Sequence, residues 1–330
     1  MVGIGTPLMW SLFAAFVLVA LLVDFFALNK QGAHRVSMKE AAVWSLIWVG
    51  VSFVFVGWLW WYLGGLDGNA VAHTKALEFV TGYLVEKALA VDNIFVFLMV
   101  FTYFAVPAEF QKRVLMIGIL GALVLRAAMI LVGAWLIAQF HWILYLFGAF
   151  LVFTAWRMLV SKDDPENIGE SPVIRWVRRF FPVTPTYHEQ HFSIIQNGRR
   201  VLTPLAVALV LVETTDLVFA VDSIPAIFAI TTDPFIVFTS NVFAILGLRS
   251  LYFALAGAID KFRYLKVSLA AILGVVGIKM LVADLLKEYI GPNFNFYLLG
   301  LVALILGAGV VASIIAARRD ERRDEGVLTD

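Results

Sequence analysis

The chain has 330 residues, of which 62% are hydrophobic and 15% are charged, and its formal net charge is +1. Soluble domains contain about 45–50% apolar residues, so this composition predicts an integral membrane protein. The sequence has no cysteine, which excludes disulfide bonds, thiolate metal sites and cysteine nucleophiles. The near-neutral net charge gives no indication of nucleic-acid binding.

A transmembrane helix needs about 20 mostly apolar residues, and nine segments of the sequence meet this requirement. In chain order they are residues 8–28, 40–63, 78–104, 113–138, 141–160, 201–231, 234–257, 265–286 and 294–317. No basic stretch precedes the first segment and no small-residue cleavage pattern follows it, so we interpret it as a retained helix rather than a signal peptide. The predicted fold is all-α and polytopic.

The loops between these segments predict an orientation. When the amino terminus is placed outside, nearly all loop lysines and arginines fall on the cytoplasmic side, and only Lys75 and Lys287 fall outside. The long loop 161–200 is then cytoplasmic. Its stretch "VIRWVRRFFPV" alternates basic and aromatic residues, as in segments that lie on the inner leaflet. A solvated linker with some hydrophobic anchoring explains the pattern equally well.

The sequence contains an internal repeat. Superimposing Asp92 on Asp222 aligns "EKALAVDNI" with "DLVFAVDSI". Each repeat has three helices, and because three is odd the second repeat enters the membrane from the opposite side, as in the inverted repeats of secondary transporters. The predicted division is two accessory helices in 1–77, a first repeat in 78–160, the loop 161–200, a second repeat in 201–286, and a ninth helix with a charged tail in 287–330.

Acidic residues lie in the middle of two predicted helices. Each acid costs roughly 2.5–3.5 kcal/mol at the centre of a transmembrane helix, so partners or a function must offset it. Pro225 predicts that the second helix breaks beside Asp222. The acids are Glu86, Asp92, Glu213, Asp216 and Asp222, and the candidate counter-charges are Lys87, Arg126 and Arg249.

Two interpretations of these charges remain open. They could form buried ion pairs that only fix the packing of the helices. Alternatively, the acids outnumber the bases and have oxygen-bearing neighbours such as Asn93, Thr214, Thr215 and Ser223, a set that suits Mn²⁺, Mg²⁺ or Ca²⁺. Crowded carboxylates without metal tend to hold protons, so metal entry predicts cation/proton exchange. No nucleophile and histidine accompany the acids, so we expect no enzymatic activity.

The stretches "EKALAVDN" and "ETTDLVFAVDSIPAIFAITTDPFIVFTSNVFAILGLRSLYF" resemble the TerC family of integral membrane proteins, most closely its Alx branch, within the LysE-type transporter superfamily. The resemblance implies a manganese exporter of the bacterial inner membrane. Its acidic motif carries over to Glu86, Asp92, Asn93, Glu213, Asp216, Asp222 and Ser223.

These expectations combine into one hypothesis about the site. Asp92, Asp216 and Asp222 bind the cation, Glu86, Asn93 and Glu213 complete or gate the site, and Arg126 and Arg249 balance its charge when it is unloaded. Transported Mn²⁺ is the expected substrate, with Ca²⁺ or Mg²⁺ as alternatives, protons as the coupling ion, and no resident cofactor. The family also suggests a different role, in which the protein is a membrane partner or scaffold for metal delivery or tellurite and stress resistance, acting through the loop 161–200.

Overall fold

A computed structural model describes residues 3–29, 38–140, 142–160, 171–196, 198–256, 264–282 and 294–327. Eleven helices lie in these ranges: α1 (Pro7–Asn29), α2 (Met38–Leu66), α3 (Asn69–Tyr103), α4 (Ala108–Gln139), α5 (Ile143–Val160), α6 (Pro172–Phe180), α7 (Pro204–Ile230), α8 (Pro234–Leu246), α9 (Leu248–Leu255), α10 (Leu265–Leu281) and α11 (Phe294–Val327). A short antiparallel hairpin, β1 (Ser193–Gln196) and β2 (Arg199–Leu202), precedes α7.

The described residues support an all-α protein that crosses a membrane several times. Five of their helices are long and apolar enough to span a bilayer, or six if the bent pair α8 and α9 is one span. The five are Lys39–Leu66, Ala108–Gln139, Ile143–Val160, Pro204–Ile230 and Asn295–Ala317. The count of nine spans and the inverted repeat remain predictions.

Helix α3 lies inside the bundle, where it packs against α2, α7, α8, α9 and α11. Helix α7 packs against α3, α4, α5 and α10. These two helices carry the five acidic residues named above, so the fold places the two acidic motifs on neighbouring central helices.

Helices α5 and α10 approach each other through glycines. A Cβ atom added at Gly148 would lie 3.0 Å from the carbonyl oxygen of Gly277, and one added at Gly277 would lie 2.9 Å from the carbonyl oxygen of Gly148. Small residues allow two helix backbones to touch in this way. Gly277 belongs to the stretch "AILGVVGIK" of α10.

The predicted helix break beside Asp222 was wrong. Helix α7 continues through Pro225 to Ile230. Residues 224–230 are all buried, and the packing of neighbouring helices tolerates the one backbone donor that a proline removes. The chain bends instead by 41° between α8 and α9, at Gly247.

The predicted loop 161–200 also differs from expectation in its described part. The described residues of 171–202, which exclude residue 197, contain α6 and the two strands of the hairpin, and α7 begins at Pro204 rather than at residue 201. Residues 161–170 lie outside the described residues.

Candidate functional site

An acid–arginine cluster lies inside the bundle, on three different helices. Glu86 comes from α3, Arg126 from α4 and Asp216 from α7, and each residue is at most 3% exposed. The guanidinium of Arg126 forms an ion pair with Glu86, and its Nη2 atom lies 3.4 Å from Oδ1 of Asp216. Two carboxylates therefore share one guanidinium in a buried position.

Two amide side chains extend this cluster. Nδ2 of Asn93, on α3, lies 3.5 Å from Oδ1 of Asp216, and Nη1 of Arg126 donates to Oδ1 of Asn241, on α8, at 3.2 Å. Arginine has five N–H donors in a planar fork, so it can bind several acceptors from different directions. Arg126 thus ties α3, α4, α7 and α8 together at one point.

Several buried polar atoms of the cluster lack a hydrogen-bond partner among the described residues. The oxygens are Oε2 of Glu86, Oδ1 of Asn93 and Oδ2 of Asp216. Buried polar groups are normally satisfied. Unpaired carboxylate and amide oxygens are the ligands that hard divalent cations prefer. The cluster is therefore a chemically suitable place for a small cation.

Asp222 does not join this cluster. It accepts a hydrogen bond from Oγ1 of Thr154, on α5, at 3.2 Å. Because α7 is continuous, Asp216 and Asp222 lie about 9 Å apart along the axis and point about 120° away from each other. The expectation that both bind one cation together depended on a broken helix, and the observed conformation does not bring them together.

Glu213 lies one turn before Asp216 on α7 and is half-buried. Its carboxylate packs directly on the backbone of Gly121 in α4, where any Cβ atom would overlap it. A larger residue at position 121 would force the flexible side chain of Glu213 to move. This placement puts Glu213 beside the cluster, on the α4 side.

Two of the three predicted counter-charges are elsewhere. Nζ of Lys87 donates to the carbonyl oxygen of Ala244, at the end of α8, at 3.1 Å. Arg249, on α9, lines a small cavity of about 20 Å³ with Glu40 and Lys112. Among the described residues, Arg126 is the predicted counter-charge that contacts the acids.

The remaining predicted ligands give a mixed result. Ser223 is buried next to Asp222, whereas the side chain of Asp92 lies outside the described residues. No three His, Cys, Asp or Glu side chains within the described ranges are close enough to hold a metal ion together. A cation site built from the described residues therefore needs other oxygen donors besides carboxylates, such as the amide of Asn93.

Sequence reasoning missed a second charged group, at the end of the bundle where α3 begins. Nζ of Lys75 lies 2.9 Å from Oε2 of Glu78 and 3.4 Å from Oδ2 of Asp233. Thr231 donates to Glu78 at 2.6 Å, and the backbone N–H of Ile4 donates to Asp233 at 3.0 Å. We call this group the Lys75 clamp. Glu78 begins the predicted segment 78–104 and Asp233 directly precedes α8. Acids at the ends of membrane segments are usually solvated, so no signal in the sequence pointed to this group.

The buried polar residue Asn241 was also missed, although a signal existed. It is the one amide in the apolar stretch "FIVFTSNVFAIL" of α8. A polar residue that is enclosed by apolar helix positions is rare in membranes and usually functional.

A bundle of apolar helices around a buried acid–arginine cluster defines a polytopic membrane protein with a polar site in its interior. Comparison with known families matches residues 71–321 to the "Integral membrane protein TerC family". The chain belongs to this family.

Curated relatives cover nearly the whole chain. The chain is 50% identical over 322 residues, 98% of both chains, to the "Putative membrane-bound redox modulator Alx" of Escherichia coli (strain K12). It is 54% identical over 281 residues to a protein of the same description in Salmonella typhi, covering 85% of this chain and 87% of the relative. It is 47% identical over 322 residues to "Uncharacterized membrane protein STKORF319" of Myxococcus xanthus, covering 98% and 97%. No solved structure matches the chain.

Proposed function

We propose that this protein exports a divalent metal cation, Mn²⁺ first among the candidates, in exchange for protons. The observation that carries the proposal is the buried cluster of Glu86, Arg126 and Asp216, in which two carboxylates face one guanidinium. Two ionised carboxylates and one guanidinium give this group of three side chains a charge of −1. A proton or a cation would neutralise it, and the two would compete for the same oxygens.

The residues present suggest how such an exchange would work. Oxygens of Glu86, Asn93 and Asp216 would bind the cation, and Arg126 would substitute for part of its charge when the site is unloaded. Asp222, held by Thr154 about 9 Å further along α7, would serve a separate step on the same pathway rather than the same coordination shell. Asp92 lies on α3 one residue before Asn93 and would be a further ligand.

Hard oxygen donors do not by themselves distinguish Mn²⁺ from Ca²⁺ or Mg²⁺. Manganese is proposed because of the family resemblance, as are the location in the bacterial inner membrane and the orientation with the amino terminus outside and the carboxyl terminus inside. Rocking of the two proposed three-helix units would expose the site to each side in turn.

Several relatives are described as membrane-bound redox modulators. This chain has no cysteine, so a thiol–disulfide mechanism cannot use its own side chains. The second candidate function, a membrane partner or scaffold for metal delivery or tellurite and stress resistance, would depend on the loop 161–200.

The test is uptake of radiolabelled Mn²⁺ into inside-out vesicles that hold a pH gradient, with Ca²⁺ as a competitor. We expect Asp216→Asn to lower uptake by at least about tenfold, which corresponds to about 1.4 kcal/mol. We expect uptake by the unmodified protein to collapse when the gradient is dissipated.

Asp67→Asn is the matched control, because Asp67 undergoes the same chemical change at an exposed position. Both variants must be equally abundant in the membrane. Negligible uptake by the unmodified protein, in vesicles shown to maintain the gradient, would contradict export and favour the partner role.

A further inference from the structure

Helix α6 is held firmly against the membrane helices. Its side chains Ile174 and Val177 are buried in a hydrophobic cluster with residues of α3, α4 and α7. The segment after it is also fixed, because the hydroxyl of Tyr187 donates to the carbonyl oxygen of Phe104, at the end of α3, at 2.6 Å. The orientation of α6 relative to the bundle is therefore set by the fold.

The helix has two apolar sides, and the described residues of the protein cover only one of them. At about 100° per residue, Trp176 and Phe180 lie roughly 110° around the axis from the buried pair Ile174 and Val177. Trp176 is 57% exposed and Phe180 is 60% exposed, and the centroids of their rings lie 5.2 Å apart. Phe181, which follows directly, is exposed too. An ordinary surface helix has one apolar stripe, so this second stripe needs another explanation.

Arginines occupy the third side of the helix. Arg175, Arg178 and Arg179 are all exposed. Residues 171–202 contain five arginines and one acid, Glu189. Within residues 171–202, the exposed aromatic side chains are thus accompanied by four more positive than negative charges.

The hairpin repeats this combination. Ile195 is 82% exposed, and its cross-strand partner is the exposed Arg200. An apolar side chain at a hairpin tip next to an arginine has the same chemistry as the exposed side of α6. We call these residues together the basic–aromatic face: Arg175, Trp176, Arg178, Arg179, Phe180, Phe181, Ile195, Arg199 and Arg200.

We propose that the basic–aromatic face binds the anionic phospholipid headgroups of the leaflet where α5 ends and α7 begins. Both of those helices are long and apolar enough to span a bilayer, so the segment that connects them starts and ends at one membrane surface. Tryptophan and phenylalanine favour the interface between acyl chains and headgroups. Arginine pairs with phosphate through two parallel hydrogen bonds, and basic residues near an anionic leaflet are attracted to it.

Lipid fits this face better than a protein partner does. A bilayer at the level of α6 would cover the exposed aromatic rings by itself. A protein partner would be an additional component that covers the same rings. The rigid attachment of α6 to α7 also means that lipid binding would hold the acidic helix α7 at a defined depth.

The depth of the face can be measured directly, because the chain has no native cysteine. Full-length Phe180→Cys and His188→Cys variants, each spin-labelled, are reconstituted in vesicles of phosphatidylethanolamine and phosphatidylglycerol. His188 is an exposed control in the same segment. We expect the label at position 180 to be more accessible to oxygen than to an aqueous nickel chelate, and the label at position 188 to show the reverse. Equal nickel accessibility at both positions would overturn the proposal and leave the face available to a cytosolic protein.

The charge requirement has a separate test. Native mass spectrometry of the purified full-length protein measures how much phosphatidylglycerol it retains relative to phosphatidylcholine. We expect Arg175→Gln/Arg179→Gln to reduce this ratio several-fold. The control Lys39→Gln/Arg319→Gln removes two other exposed charges and should leave the ratio near that of the unmodified protein. An unchanged ratio in the first variant, or an equal loss in both, would contradict specific binding by the face. Neither experiment depends on the proposed export activity.

Discussion

At the scale of single residues, Arg126 is the side chain that connects the acidic residues of the candidate site to one another and to the surrounding helices. Its guanidinium contacts Glu86, Asp216 and Asn241, which lie on three helices other than its own. Breaking a buried ion pair by removing one partner costs about 3–5 kcal/mol, because the remaining charge is left uncompensated. The stability of the bundle and the electrostatics of the candidate site therefore depend on the same side chain.

We predict that Arg126→Ala lowers the thermal unfolding midpoint of the detergent-purified protein and reduces its abundance in the membrane. Adding Glu86→Gln should recover part of the loss, because it removes one of the two unpaired carboxylates. Arg319→Ala, at an exposed position, is the control. A stable Arg126→Ala protein with altered ion selectivity would contradict a charge-balancing role and indicate that Arg126 acts on the substrate.

The sequence predicted these residues better than it predicted their partners. Glu86, Asp216 and Arg126 were found because ionised side chains inside apolar segments are costly and hence conspicuous. Which base meets which acid depends on how the helices rotate and pack. Lys87 is adjacent to Glu86 in sequence yet points to α8, because neighbouring residues on a helix differ by about 100° in direction.

At the scale of elements, the bend between α8 and α9 is the least regular feature of the bundle. In a continuous helix the N–H of Leu248 would bind the carbonyl oxygen of Ala244, but Lys87 donates to that oxygen instead. Sequence reasoning placed the break at Pro225, where neighbouring helices hold α7 together, and missed Gly247. Beside the break at Gly247, the carbonyl oxygen of Ala244 accepts from Lys87 of another helix, and hydropathy contains no information about such a contact.

We predict that Gly247→Ala destabilises the protein by about 1–3 kcal/mol, the usual cost of overpacking. A Cβ atom at Gly247 would lie 2.8 Å from Nζ of Lys87 and 3.1 Å from Cβ of Trp48. Gly57→Ala is the matched control, because nothing lies within 4 Å of the added atom, and it should be neutral or slightly stabilising. Thermal unfolding of the purified proteins measures both. Equal midpoints for the two variants would mean that Lys87 moves aside without cost.

At the scale of the whole molecule, the Lys75 clamp connects distant parts of the chain. It joins the first turns of α3, the connection between α7 and α8, and the amino-terminal segment through Ile4. Asp233 also caps α8 by accepting from the N–H of Phe235 at 3.1 Å. One carboxylate thus orders two separate backbone segments.

We predict that Asp233→Ala speeds amide hydrogen exchange in a peptide covering residues 3–10 and lowers stability by about 1 kcal/mol, the typical cost of losing a helix cap. The measurement is hydrogen exchange followed by mass spectrometry on the intact protein. Asp67→Ala, at an exposed position, should change neither quantity. Unchanged exchange in Asp233→Ala would mean that packing alone holds the amino-terminal segment.

The contact between Gly148 and Gly277 constrains how the molecule can move. Helix α5 belongs to the first predicted unit and α10 to the second, and their backbones touch with no side chain between them. Separating α5 from α10 would lose the close packing between the two backbones. Gly148 and Gly277 have no side chains that could fill the gap. A rocking motion of the two predicted units that kept this contact would turn about the α5–α10 pair.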